Sequence, residues 1–244
     1  MTERVSTGTK TIGYATVAVA LAAAIVLSSI YYVSTSTTSV TSTGSQTNSQ
    51  IPDQSVLVVQ LTDPPQVPAG TSSLNLTYSA VNLLVSEPSY NGQVTINSIS
   101  VTQPGDSSTL DLSHLQNLSV TIASIILPTG SIIYTIGFTV GSIALDLNGS
   151  IYHVTLATGG DSLDATLVHP ADLNGSAAAL LDLSPVVVDT PTGYQLIPSM
   201  VGVLKPQSEF TPGDANLGTT SQITQKDKLE LDQARGESSR LSGW

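Results

Sequence analysis

The sequence predicts an all-β protein, an antiparallel β-sandwich preceded by one N-terminal transmembrane helix. Three observations carry that expectation. Between residues 55 and 204, short segments rich in Val, Ile, Thr, Leu and Tyr follow one another. Many alternate apolar and polar residues with the period of two that a half-buried strand requires, as in Leu74/Leu76/Tyr78 and Val94/Ile96. Turn signals punctuate these segments, among them Asp63-Pro64-Pro65, Asn91-Gly92, Pro104-Gly105-Asp106, Pro128-Thr129-Gly130, Asn148-Gly149 and Asn174-Gly175. Ahead of them, residues 12–33 form a run of 22 residues without a charge. At a rise of about 1.5 Å per residue this run crosses a hydrocarbon core of about 30 Å.

Residues 1–11 carry Glu3, Arg4 and Lys10, and no further base occurs before Lys205. The positive-inside rule therefore puts residues 1–11 in the cytoplasm and everything beyond residue 33 outside the cell. Tyr31 and Tyr32 stand where an interfacial aromatic anchor belongs. The apolar run exceeds the usual h-region of about 7–15 residues, and no A-x-A site follows it. A signal anchor is the reading preferred here over a cleaved signal or a prepilin-type leader cut near Lys10.

Residues 34–54 read as a stalk: of the 17 residues from 34 to 50, twelve are Ser or Thr, and no apolar face recurs. Residues 55–206 read as the sandwich. Nine strands are expected there: SVLVVQLT, SLNLTYSAVNLLVS, QVTINSISVT, LSVTIASIILP, SIIYTIGFTV, SIALDLN, SIYHVTLA, ALLDLSPVVVD and YQLIPSMVGVL. Asn148-Gly149 predicts a two-residue hairpin. A short helix is expected at residues 112–117. Residues 207–244 read as a flexible polar tail with a short charged helix at 222–235, where Lys226/Glu230 and Lys228/Asp232 fall at i,i+4. Its apolar face is thin, so a solvated segment is the first expectation and a docking peptide ending in Trp244 the second.

Charge is the most informative part of the composition. The whole chain has 7 Lys+Arg against 18 Asp+Glu, and residues 51–204 hold eleven acids and no base. Phosphate binding needs clustered bases, so nucleic acid is excluded as a partner. With no Cys there is no disulfide framework, thiol nucleophile or zinc ribbon. An acid-only body fits an acidic exterior such as that of a thermoacidophilic archaeon; bound cations or plain tolerance of spread, screened charges are the other readings. Like-charge repulsion alone predicts that the body loses stability as pH rises from about 3 to about 7.

Four N-x-S/T sequons, at Asn75, Asn117, Asn148 and Asn174, are the candidate glycosylation sites. Asn148 and Asn174 lie at expected turns, and Asn75 lies inside a strand pattern. His114, His153 and His169 are too scattered to supply three ligands to a metal, although Asp111/His114 and His169/Asp172 are short-range pairs. Asp161, Asp164 and Asp172 lack EF-hand spacing. There is no G-x-S-x-G elbow, no Asp-Thr/Ser-Gly pair and no phosphate loop. No catalytic, cofactor-binding or metal-binding residue is therefore assigned.

Several pieces carry a resemblance. They are VLVVQLTDPP at the first strand, LTYSAVNLLVS at the second, LDLSHLQNLSVTIASIILPTG in the middle and LLDLSPVVVDTPTGYQLIPSMVGVLKP at the close. Their order resembles a family of secreted or membrane-tethered bacterial and archaeal β-sandwich domains of unknown function. The resemblance implies a transthyretin- or immunoglobulin-like sandwich. Its bacterial members often carry a lipid-modified cysteine, which this chain lacks.

The functional expectation is a membrane-anchored extracellular glycoprotein of the cell envelope. It would act as a binding or assembly module without catalysis, its partner an envelope protein or a glycan. The alternatives are a subunit of an extracellular filament, an accessory subunit of a membrane complex, and a secreted acid hydrolase.

Overall fold

The computed structural model describes residues 53–62, 65–88, 95–209 and 216–241. The expected transmembrane run 12–33, most of the stalk and Trp244 lie outside the described residues. No helix among the described residues is long and apolar enough to cross a membrane.

The chain is mostly β, in two sheets with one C-terminal helix. The first sheet is built on a long antiparallel pair, β2 (Thr71–Glu87) and β6 (Ile132–Leu147). On its far side β2 carries β3 (Thr95–Thr102) along one half and β4 (Ser108–Asp111) along the other. In the same way β6 carries β7 (Ser150–Leu156) and β8 (Ser162–Asp172). Two further strands, β10 (Val186–Thr190) and β11 (Gly193–Ile197), extend the sheet beyond β7. The second sheet runs β12 (Met200–Pro206), β9 (Ala177–Leu183), β1 (Gln54–Thr62), β5 (Leu118–Pro128) and β13 (Thr220–Gln222). The sheets join where Leu167 of β8 lies beside Gly202 of β12.

Alternation along the strands explains why the sheets close on each other. Leu57, Val59 and Leu61 of β1, Ile125 and Leu127 of β5, and Ala179 and Leu181 of β9 enter one apolar cluster. There they meet Leu74, Leu76, Leu83, Ile136, Phe138 and Leu145 from the first sheet. Tyr78 and Phe138 meet edge to face at 6.0 Å between centroids.

The pairing is mixed rather than wholly antiparallel: β1–β9, β7–β11 and β8–β12 are parallel. The cause is the path of residues 177–206. Their strands β9 and β12 lie in the second sheet, while β10 and β11 between them lie in the first. The expected strand ALLDLSPVVVD divides at Ser184-Pro185, and YQLIPSMVGVL divides at Pro198-Ser199. Each proline ends one sheet's ladder, since it has no N–H to donate. Conversely, SIIYTIGFTV and SIALDLN form the single strand β6, whose register slips around Gly141. The helix expected at 112–117 is one 3-10 turn, Leu112–His114, whose cap Asp111 accepts the Ser113 N–H at 3.1 Å. The Asn148-Gly149 turn joins β6 to β7 with φ of 53° and 78°, the two positive values of a type I′ hairpin.

At Gly202 the joint leaves no room for a side chain. A Cβ there would lie 2.7 Å from Leu181 Cδ2 and 2.8 Å from Leu167 Cδ2. Gly202→Val should cost about 1–3 kcal/mol through overpacking of this joint, read by urea unfolding. A loss below about 0.5 kcal/mol, the level of an ordinary surface change, would mean that the two sheets do not meet there.

Candidate binding cleft beneath the C-terminal helix

β1 is buried on both faces. Its second face presents Val58, Gln60 and Thr62, aligned with Ala178, Leu180 and Asp182 of β9. Val201 and Lys205 of β12 continue the same face, opposite Asp182 and Ala178. These side chains lie outside the main core cluster and form a second, thinner layer.

Helix α1 (Gln225–Leu241) covers this layer with Leu231 and Ala234, both buried and three residues apart on one helical face. It starts three residues later than the helix expected at 222–235 and runs six residues further. Its apolar stripe is as thin as the sequence suggests, with Leu229 mostly exposed, so polar contacts complete the seat.

Two ion pairs join helix and sheet. Lys205 Nζ lies 2.7 Å from Asp227 Oδ1, and both side chains are more than nine-tenths buried. Arg235 pairs with the buried Asp182 and donates to Ser184 Oγ at 2.7 Å, while Ser184 donates to Asp182 Oδ1 at 2.9 Å. Asp227 also closes a capping box. Its Oδ2 accepts the Thr224 N–H at 2.9 Å, and Thr224 Oγ1 accepts the Asp227 N–H at 3.2 Å. Burial by itself would raise the Asp227 carboxyl, but hydrogen bonds from Lys205 and Thr224 and the lysine's charge hold it below the usual carboxylate value.

The approach to the helix is tied down as well. β13 pairs antiparallel with β5, and the Ile223 N–H donates to the Asn117 carbonyl at 3.1 Å. Lys228 reaches Asn117 Oδ1. Lys226 bridges Glu209 at 2.7 Å on the surface, a hydrogen bond that raises the lysine above its ordinary value.

A cleft of about 350 Å³ opens between the sheet and the chain leading into α1. Its floor is Gln60, Ser119 and Leu180; its walls are Lys205, Glu209, Asp227 and residues 221–224. A second cavity of about 230 Å³ lies further along the seam, between Thr62, Asp182, Leu231 and Arg235.

The candidate glycosylation and metal residues read from sequence lie elsewhere, except Asn117, which lines the second cavity. His114 Nδ1 contacts Asp111 Oδ2 at 2.9 Å but is 78% exposed. Asp111 Oδ1 is already occupied by the N–H groups of Leu74 and Ser113 and by the Ser113 hydroxyl. His153 is exposed on β7, and nothing is described of the His169 side chain. Among the described residues no three His, Asp or Glu side chains converge, and Asp164 instead accepts from Ser162. Asn148 and Asn174 are exposed in turns. Asn75 is half-buried in β2, its Nδ2 donating to Ser73 Oγ at 3.2 Å. No family model, curated protein or solved structure matches the chain.

Lys205→Met should destabilise the protein by about 3–5 kcal/mol, because it leaves Asp227 ionised and buried. The double variant Lys205→Met/Asp227→Leu should recover most of that loss in urea unfolding; no recovery would mean that the two groups do not act as a pair. The pH dependence of the helix seat has a definite sign. The folded carboxyl of Asp227 is depressed, so its contribution is complete above the range where an unfolded carboxyl titrates. It disappears as pH falls through the lowered folded value. The methyl NMR signals of Leu231 should therefore shift towards those of a free helix on acidification below about pH 4. Signals that stay fixed down to about pH 2 would contradict this role for the pair.

Proposed function

We propose that the protein is a membrane-anchored extracellular module of the cell envelope that works by binding or assembly rather than catalysis. The carrying observation is the order of parts: a 22-residue uncharged run behind Arg4 and Lys10, a hydroxyl-rich stalk, then a folded β body. Exposed sequons at Asn148 and Asn174 support an extracellular body. Its lack of Lys and Arg before residue 205 supports an acidic exterior. The cleft beneath α1 supports a binding role, with an envelope protein or a glycan as partner.

An assembly role rests on a different feature. Among the described residues β3 pairs only with β2, and its sequence TINSISVT contains no charge and no proline to protect a free edge. Native electrophoresis with mass spectrometry of protein extracted gently from its own membranes separates the readings. A single glycosylated species retaining residues 1–33 supports the anchored binding module. A ladder of oligomers starting near residue 11 or 34 supports a filament subunit, and loss of all material to the soluble fraction refutes the anchor.

Sequon use should follow geometry. Glycopeptide mass spectrometry should find higher occupancy at Asn148 and Asn174 than at Asn75, whose amide is engaged in a strand, and Asn117, which meets Lys228. Equal occupancy at all four would contradict the arrangement of β2 and α1.

A further inference from the structure

Gln60 is the unusual residue of the seam. It stands on a strand otherwise apolar or closed by internal hydrogen bonds, is only 4% exposed, and lines the cleft with no hydrogen bond from its side-chain amide to any described residue. Its neighbour on the same face, Thr62, donates to the Leu118 carbonyl at 2.8 Å, so the strand does satisfy polar groups where it can. Among the described residues the one fully buried side-chain polar atom without a partner is Asp146 Oδ1, so the Gln60 amide is open to the cleft rather than sealed inside the protein. The amide borders the cleft, where an occupant would meet two N–H donors and a carbonyl acceptor.

The rest of the lining narrows the occupant. Lys205 is neutralised by Asp227, and Glu209 at the mouth by Lys226. A charged ligand would therefore find no free counter-charge. Thr224 and Asp227 are closed on each other in the capping box. The Ser119 hydroxyl donates to the Ser221 carbonyl at 3.4 Å, which leaves its oxygen as a neutral acceptor beside the Gln60 amide, and Leu180 adds an apolar side. A volume of about 350 Å³ falls at the small end of ligand sites. We infer that this cleft binds a neutral, hydroxyl-rich ligand of about the size of one sugar residue, with the Gln60 amide donating to and accepting from its hydroxyls. The inference concerns the cleft alone and stands whether or not residues 12–33 anchor the chain.

The test uses the full chain in a detergent without a sugar headgroup, titrated by calorimetry with glucose, mannose, galactose and N-acetylglucosamine. Acetate, phosphate and methylammonium serve as charged probes. At least one sugar should bind saturably at one site, and none of the charged probes should compete with it. Gln60→Leu should weaken that sugar tenfold or more while leaving Tm within a few degrees of the parent. Ser119→Ala, a smaller change, should weaken it less while leaving Tm near that of the parent. No saturable sugar, competition by a charged probe, or unchanged affinity in a folded Gln60→Leu or Ser119→Ala protein would each overturn the inference.

Discussion

Strand β1 sits at the centre of its sheet, between β5 and β9, and buries side chains on both faces. A strand in that position needs cover on two sides. The first sheet supplies one cover through Leu57, Val59 and Leu61; the other face, Val58, Gln60 and Thr62, would meet water if the chain ended at β12. Helix α1 is the third layer that this constraint demands. The mixed pairing of the sheets follows from the same requirement, since β9 lies parallel to β1 and brings Ala178, Leu180 and Asp182 into the face that the helix covers.

Electrostatics decide how the helix is held. The body before residue 205 has no base, so its buried Asp182 must find a partner in the C-terminal segment, and Arg235 provides it. Lys205 in turn finds Asp227. Buried pairs of this kind contribute little net stability over a well-packed apolar seam, but removing one member is costly, which fixes the register of helix on sheet. Two effects of opposite sign therefore act on pH. Repulsion among the body's carboxylates weakens as they are protonated, whereas the helix seat needs Asp227 ionised.

Much of the β architecture is legible in the residues. Period-two alternation finds β2 and β3, short β-branched apolar runs find β1 and β5, and Asn148-Gly149 locates its hairpin because a type I′ turn asks for two positive φ values in succession. What escapes is non-local. β8 carries Pro170 and several polar residues, so propensity hides a strand whose partners come from both sheets. The division of ALLDLSPVVVD depends on which sheet each half joins, and no local pattern reports that. The cleft was equally hidden. Gln60 and Asp182 look like polar interruptions of apolar strands until the helix is placed over them. The Thr224-x-x-Asp227 spacing was the one local sign of a well-defined helix start. The sequons point to exposed turns, and only Asn117 falls at the seam.

The account depends on α1 being an integral layer that walls the cleft. Hydrogen exchange of the full chain at neutral pH, read by mass spectrometry on peptides covering residues 226–236, tests that most directly. Protection of the helix amides comparable to that of β1 is the predicted result, because the helix and the second face of β1 then open together. Exchange at the rate of an unprotected, solvated helix would contradict it, and the seam, its ion pairs and the cleft would fall with it.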